Sequence, residues 1–282
     1  MLDILKLDFP FNIVLYQRAL IACLVIGFTN GYTSAFVVMH QSPLKLSALS
    51  HSLLPGIAAA ALLFGLNLIT GFFGAMIIAV IIGLATVLFS GFTRLEQGTV
   101  LAVLYTGAVA LGVLILKYLS TAQELEHWLL GNILGGISNM DLWTSFGIGL
   151  IAVSIFSLFR RPILLTLFEP NVARTLGVPV QILNYAVFAL LIMVLVTTLQ
   201  AVGCTMAVGL IVTPAATVRQ FTDKVNTLFI ASGLLGAFGS STGLILAYYL
   251  NFPAGASIVL VLTTCFLLSI AYKKWVKPKT SR

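Results

Sequence analysis

Apolar residues run along this chain in stretches of about 20, each closed by a short polar or glycine- and proline-containing break, from Tyr16 to Tyr272. That length lets a helix cross roughly 30 Å of hydrocarbon at about 1.5 Å per residue. The pattern predicts spans at Tyr16–Met39, Ser47–Leu66, Phe72–Phe89, Val100–Tyr118, Leu142–Phe159, Leu183–Leu199, Ala201–Val218, Thr227–Tyr248 and Gly255–Tyr272. The alternating segments of about ten residues that mark a membrane β-barrel are absent. The chain therefore reads as an all-α polytopic membrane protein, one transmembrane domain over residues 1–282 with eight or nine spans, nine favoured.

The breaks refine this reading. Pro55 is expected to kink the second span and free backbone carbonyls near His51. Gly203, Gly209 and Pro214 make the seventh span short and broken. Gly27, Asn30 and Gly31 place the first span inside the bundle, because glycine lets a second backbone approach closely. Between the fourth and fifth spans lies STAQELEHWLLGNILGGISNMD, whose apolar core is too short to cross. It reads as an amphipathic or re-entrant segment with Trp128 and Trp143 as interface anchors. His127, between Glu124, Glu126 and Asp141, reads there as part of a wetted loop rather than a metal site. The loop at 160–182 contains one short surface helix, starting at Glu169-Pro170 and stopping at Gly177 and Pro179.

Composition closes off the soluble classes. Of 282 residues, 60% are hydrophobic and only 8% charged, against roughly 25% charged in soluble domains. The mean hydropathy is +1.09. The opening MLDILKLDFPFN has neither the basic start nor the small-residue cleavage site of a signal peptide. The net charge of +7 lies in loops and in the basic tail at 273–282, where it sets orientation rather than binding nucleic acid. With Arg160, Arg161 and Arg174 inside and the tail inside, an even number of crossings must separate them. Counting Ala201–Val218 as a span satisfies this and puts the amino terminus outside; a re-entrant hairpin there leaves eight spans. Cys23 and Cys265 read as buried small hydrophobes.

Candidate chemistry centres on SALSHSLLPG. His51 within an apolar run is costly unless it faces other helices or a wet cavity. Ser47, His51 and Pro55 recur at four-residue spacing, so one face carries all three, and the Pro55 kink is expected to turn it towards the bundle interior. With Ser50, they form a candidate pathway or gate, with His51 the candidate metal ligand; the alternative is a histidine that only packs between helices. Cys204, Thr205, Asn30 and Asn67 are further candidates for lining the path, or small and polar residues within helix contacts. No GxxxxGK[ST] loop occurs, so no ATPase site and no catalytic residue is expected.

Four blocks, LSALSHSLLPGIA, HWLLGNILGG, FEPNVARTLGVPV and GLIVTPAATVRQFTDK, occur in the order found in membrane permease subunits of bacterial ABC importers for zinc, manganese and iron, which the chain resembles from Tyr16 to Tyr272. The wider similarity is to vitamin B12 and iron-siderophore permeases, which carry one extra amino-terminal span. The resemblance implies a multi-pass protein of the bacterial inner (plasma) membrane that moves a divalent metal and holds no stable cofactor. It also implies cytoplasmic ATPase partners that bind the ATP, a second permease subunit (the same chain or a related one), and an extracytoplasmic metal-binding protein. Glu169, Ala173, Arg174 and Gly177 would dock the 160–182 segment on the ATPase. The family usually carries aspartate where Ser47 stands, which leaves ion identity open. Chelated iron is the alternative cargo, and a carrier or channel without ATP the alternative class.

Overall fold

The computed structural model describes residues 14–40, 43–65, 68–93, 95–116 and 139–276. These form helices α1 (Val14–Met39), α2 (Pro43–Ser52), α3 (Leu54–Phe64), α4 (Leu68–Phe92), α5 (Gln97–Leu116) and α6 (Asn139–Leu158). There follow α7 (Arg160–Phe168), α8 (Pro170–Thr175), α9 (Val180–Val202), α10 (Cys204–Val218), α11 (Val225–Leu250) and α12 (Ala254–Val276). Among the described residues seven helical stretches are long and apolar enough to cross a membrane, α2 and α3 together forming one. The pair α6–α7 makes an eighth if taken as one span, and it bends by 67°. The remaining apolar helix, α10, has 15 residues.

The first span does lie inside, as its glycines predict: 72% of its apolar window is buried, against 17% for α5. Its closest partner is α11, running antiparallel. A methyl on Gly27 would meet Gly236 O at 2.5 Å, and one on Gly31 would overlap Ser232 O. The two backbones touch, and Ser240 Oγ donates across the contact to Cys23 O at 2.7 Å. Small residues spaced by four on both helices make this approach available.

A second cluster surrounds the α2–α3 junction. Pro55 lies in the first turn of α3, and the two helices join at Leu53, which keeps helical angles and whose carbonyl accepts from Gly56 N at 3.1 Å and Ile57 N at 3.2 Å. Gly112 of α5 lies against it, where a Cβ would meet Leu54 Cγ at 2.8 Å and Pro55 N at 3.0 Å. Gly56 and Gly74 bring α3 and α4 together in the same way.

The seventh predicted span is interrupted at Gly203, where φ is +87° and α9 ends. Pro214 lies within α10; the next donor, Ala215 N–H, is accepted by Ser34 Oγ of α1 at 3.2 Å. The short turn after α11 passes through Asn251 at φ +53°. The segment around His127, together with Arg94, Asn67 and the tail beyond residue 276, lies outside the described residues.

Helix directions put the described basic residues, Arg18 excepted, at one end. The contacts Thr29–Gly149 and Phe36–Phe156 show α1 and α6 running in parallel, while Gly243–Ile258 and Gly239–Leu262 show α11 and α12 antiparallel. Lys45, Arg160, Arg161, Arg174, Arg219, Lys224, Lys273 and Lys274 thus gather where α1, α6, α10 and α12 finish. At the opposite end Tyr16 and Tyr248 meet edge to face at 5.0 Å.

Candidate functional site

His51 is in the last turn of α2, and the structure corrects the expectation that it faces the bundle interior. Leu46, Leu49, Ser50 and Leu53 form the buried stripe, and His51 is exposed on the subunit surface. α2 and α3 make one span in which Leu53 keeps helical angles (φ −74°, ψ −19°), so Pro55 does not turn the His51 side inward, and the buried stripe lies on the other side of that span. Ser47 is half-buried. Ser50 Oγ donates within α2 to Ser47 O at 2.7 Å. The α2 helix packs on α5, α10 and α4.

Asn30 sits elsewhere, at the contact between α1 and α9. Its Nδ2 donates to Thr198 Oγ1 at 2.7 Å and to Ile26 O at 2.9 Å. Its Oδ1 is buried without a hydrogen-bond partner. With both side chains buried, this polar pair ties α1 to α9. Cys204 and Thr205 occupy the first turn of α10, directly after the Gly203 break; their side chains lie outside the described residues. Pro55 and Pro214 are both buried. Among the described residues no three His, Cys, Asp or Glu converge on a point that could hold a metal ion. His51 therefore offers one imidazole and no preformed site.

The segment predicted to start at Glu169-Pro170 does so. Proline stands at the first position of α8, and the Glu169 side chain makes no capping hydrogen bond. The helix stops at Gly177, where φ is +78°; Val178 N bonds Ala173 O and Gly177 N bonds Arg174 O, both at 3.0 Å. This is a Schellman stop that needs a residue tolerant of the left-handed region. Glu169, Arg174 and Gly177 are exposed. Ala173 is not, and its expected role as a docking contact is corrected: it is fully buried, facing inward where α8 meets α7 and α9. The outward face instead carries Phe168, Val172 and Leu176, with Leu176 68% exposed. Their four-residue spacing was the available signal, hidden because apolar residues are unremarkable in this chain.

These features can be set beside known proteins. The chain matches the ABC 3 transport family over residues 12–273. It is 33% identical over 253 residues to the manganese import system permease protein ScaB of Streptococcus gordonii, covering 90% of this chain and 89% of that one. It superposes on a chain of PsaBC from Streptococcus pneumoniae, solved in complex with Fab, with TM-score 0.84, 29% identity and coverage of 94% and 96%. A putative metal-chelate type ABC transporter in an inward-facing conformation shares the fold, with TM-score 0.72, 18% identity and coverage of 91% and 85%. With nearly its whole length matched, the chain is a member of the ABC 3 transport family.

Proposed function

We propose that this chain is the transmembrane subunit of an ATP-driven importer for a divalent metal ion, with manganese as the first cargo to test. The cargo follows from the likeness to a manganese permease over 90% of the chain. The observation that carries the mechanism is the exposure of His51 on the surface of an apolar span. A polar side chain at that depth is expensive against lipid, so it belongs against a wet passage or a second subunit.

The neighbouring α5 supports the second permease. Gly98, Ala102, Thr106 and Ala110 are all exposed, repeat every four residues and form a small-residue face on a helix packed against α2. Such a face suits close contact with another helix. A passage between two subunits then receives one His51 from each copy, or one beside the partner's equivalent. A neutral imidazole and the Ser47 hydroxyl bind a divalent cation weakly, and weak binding suits an ion that must leave again.

Nine spans, an external amino terminus and an internal basic end complete the proposal. The α8 segment, on the basic end, docks on the ATPase through Val172 and Leu176, with Glu169 and Arg174 at the rim. An extracytoplasmic metal-binding protein delivers the ion. The experiment is uptake of radiolabelled manganese by vesicles holding the complete transporter, with zinc, ferrous iron and chelated iron as competitors. Uptake should require ATP hydrolysis and should be suppressed most by unlabelled manganese. Uptake that persists with a hydrolysis-dead ATPase subunit would show a carrier or channel instead.

A further inference from the structure

At the basic end, the finish of α12 and the turn between α10 and α11 form one surface, apart from His51 and the α8 segment. Tyr272 and Phe221 meet with ring centroids 6.0 Å apart, each 58% exposed, and Trp275 is 90% exposed one turn on. Lys273 Nζ donates to Gln220 Oε1 at 3.4 Å, tying the turn to the helix end. Around these rings Arg219, Lys224, Lys273 and Lys274 are exposed, with Asp223 the acidic residue among them. Below them Leu267 and Leu268 continue an exposed apolar face along α12.

We propose that this surface docks anionic phospholipid headgroups of the leaflet at that end. The chemistry has three matching layers: leucines for acyl chains, amphipathic rings at headgroup depth, and cations for the phosphodiester. A tryptophan this exposed at the end of an apolar helix is suited to the membrane interface rather than to water. The cytoplasmic ATPase is the less fitting occupant, because α12 packs on α10 and α11, whereas α8 packs on α7 and α9 on another flank.

The test uses the complete transporter in nanodiscs of equal phosphatidylglycerol and phosphatidylcholine, with retained lipid measured by mass spectrometry after detergent extraction. Phosphatidylglycerol should be enriched about fivefold, the ratio for one cation worth roughly 1 kcal/mol near an anionic surface. The enrichment should fall towards unity in the variant Arg219→Gln/Lys273→Gln/Lys274→Gln, and persist in Lys273→Arg/Lys274→Arg. In the wild-type complex alone, it should also fall in 1 M salt. Absence of enrichment, or enrichment unchanged by high salt or by the triple substitution, overturns the proposal. So does a triple variant that loses the ATPase but keeps its lipid, which would assign the surface to the ATPase.

Discussion

Asn30 of α1 and Thr198 of α9 are joined by a 2.7 Å hydrogen bond with both side chains buried, and Thr198 Oγ1 in turn donates to Val194 O at 2.7 Å. Replacing Thr198 by valine keeps the shape and removes the acceptor. The variant should lose on the order of 1 kcal/mol, since interhelical hydrogen bonds in membranes have modest net worth. Thermal unfolding in detergent measures this. Asn30→Leu added to Thr198→Val should recover part of the loss, because it removes the stranded donor.

Gly31→Val should prevent assembly of α1 on α11, because its side chain has no space beside Ser232 O. Gly147→Ala has nothing within 4 Å of the added methyl and should leave yield unchanged. Comparing the yield of folded protein from the two variants checks the contact. Equal yields would mean that α1 and α11 do not approach as described.

His51→Ala should leave insertion, yield and ATPase association intact, because the imidazole is exposed rather than part of the core. Manganese uptake per assembled complex should fall at least about tenfold, the effect of some 1.4 kcal/mol on a transport barrier. Ser47→Asp should shift ion preference or slow release more than it alters stability. Full uptake by His51→Ala would remove this residue from the path.

For the coupling segment the expected outcomes separate by residue. Leu176→Asp and Val172→Asp should reduce ATPase co-purification while the permease still inserts. Gly177→Val should instead destabilise the segment itself by about 1 kcal/mol or more, because a β-branched residue fits poorly at φ +78°. Limited proteolysis of the isolated permease at residues 168–178 distinguishes the local effect from lost docking.

His40, just past α1, packs on Phe36 with tilted rings 5.7 Å apart. Partial burial and then the nearby Lys45 charge lower its pKa below the ordinary 6.5. The folded chain therefore favours neutral His40, and stability is fully present above pH 6.5. As pH falls through that value the unfolded chain takes up the proton first, so stability declines until the folded-state pKa is passed. His40→Gln should flatten this part of the unfolding-versus-pH curve, and an unchanged slope would assign it elsewhere.

Each apolar run falls on a helix because hydrocarbon imposes a length and leaves backbone groups no partner outside the segment. The interior position of α1 was legible from Gly27 and Gly31. Its partner surface on Ser232, Gly236 and Ser240 was not, since one glycine pattern does not say which helix it meets. Glu169-Pro170 and Gly177 marked α8 correctly because both act on local backbone geometry. The face of His51 was misread because Pro55 was expected to turn it inward, whereas Leu53 keeps helical angles and the buried stripe runs through Leu46, Leu49, Ser50 and Leu53. Arg160-Arg161-Pro162 looked like a loop, yet proline is tolerated in the first turn of α7, and the chain bends there without ceasing to be helical.

The contact of Gly27 and Gly31 with Ser232 and Gly236 has a mechanical consequence. Backbones that touch without intervening side chains have no cushion to compress and no rotamers to readjust. α1 and α11 therefore behave as one stiff post, anchored again to α10 through Ser34 and Ala215. Displacement during a transport cycle is expected to be absorbed away from that post, at the α2–α3 junction beside the exposed imidazole, where Pro55 withholds one helical hydrogen bond.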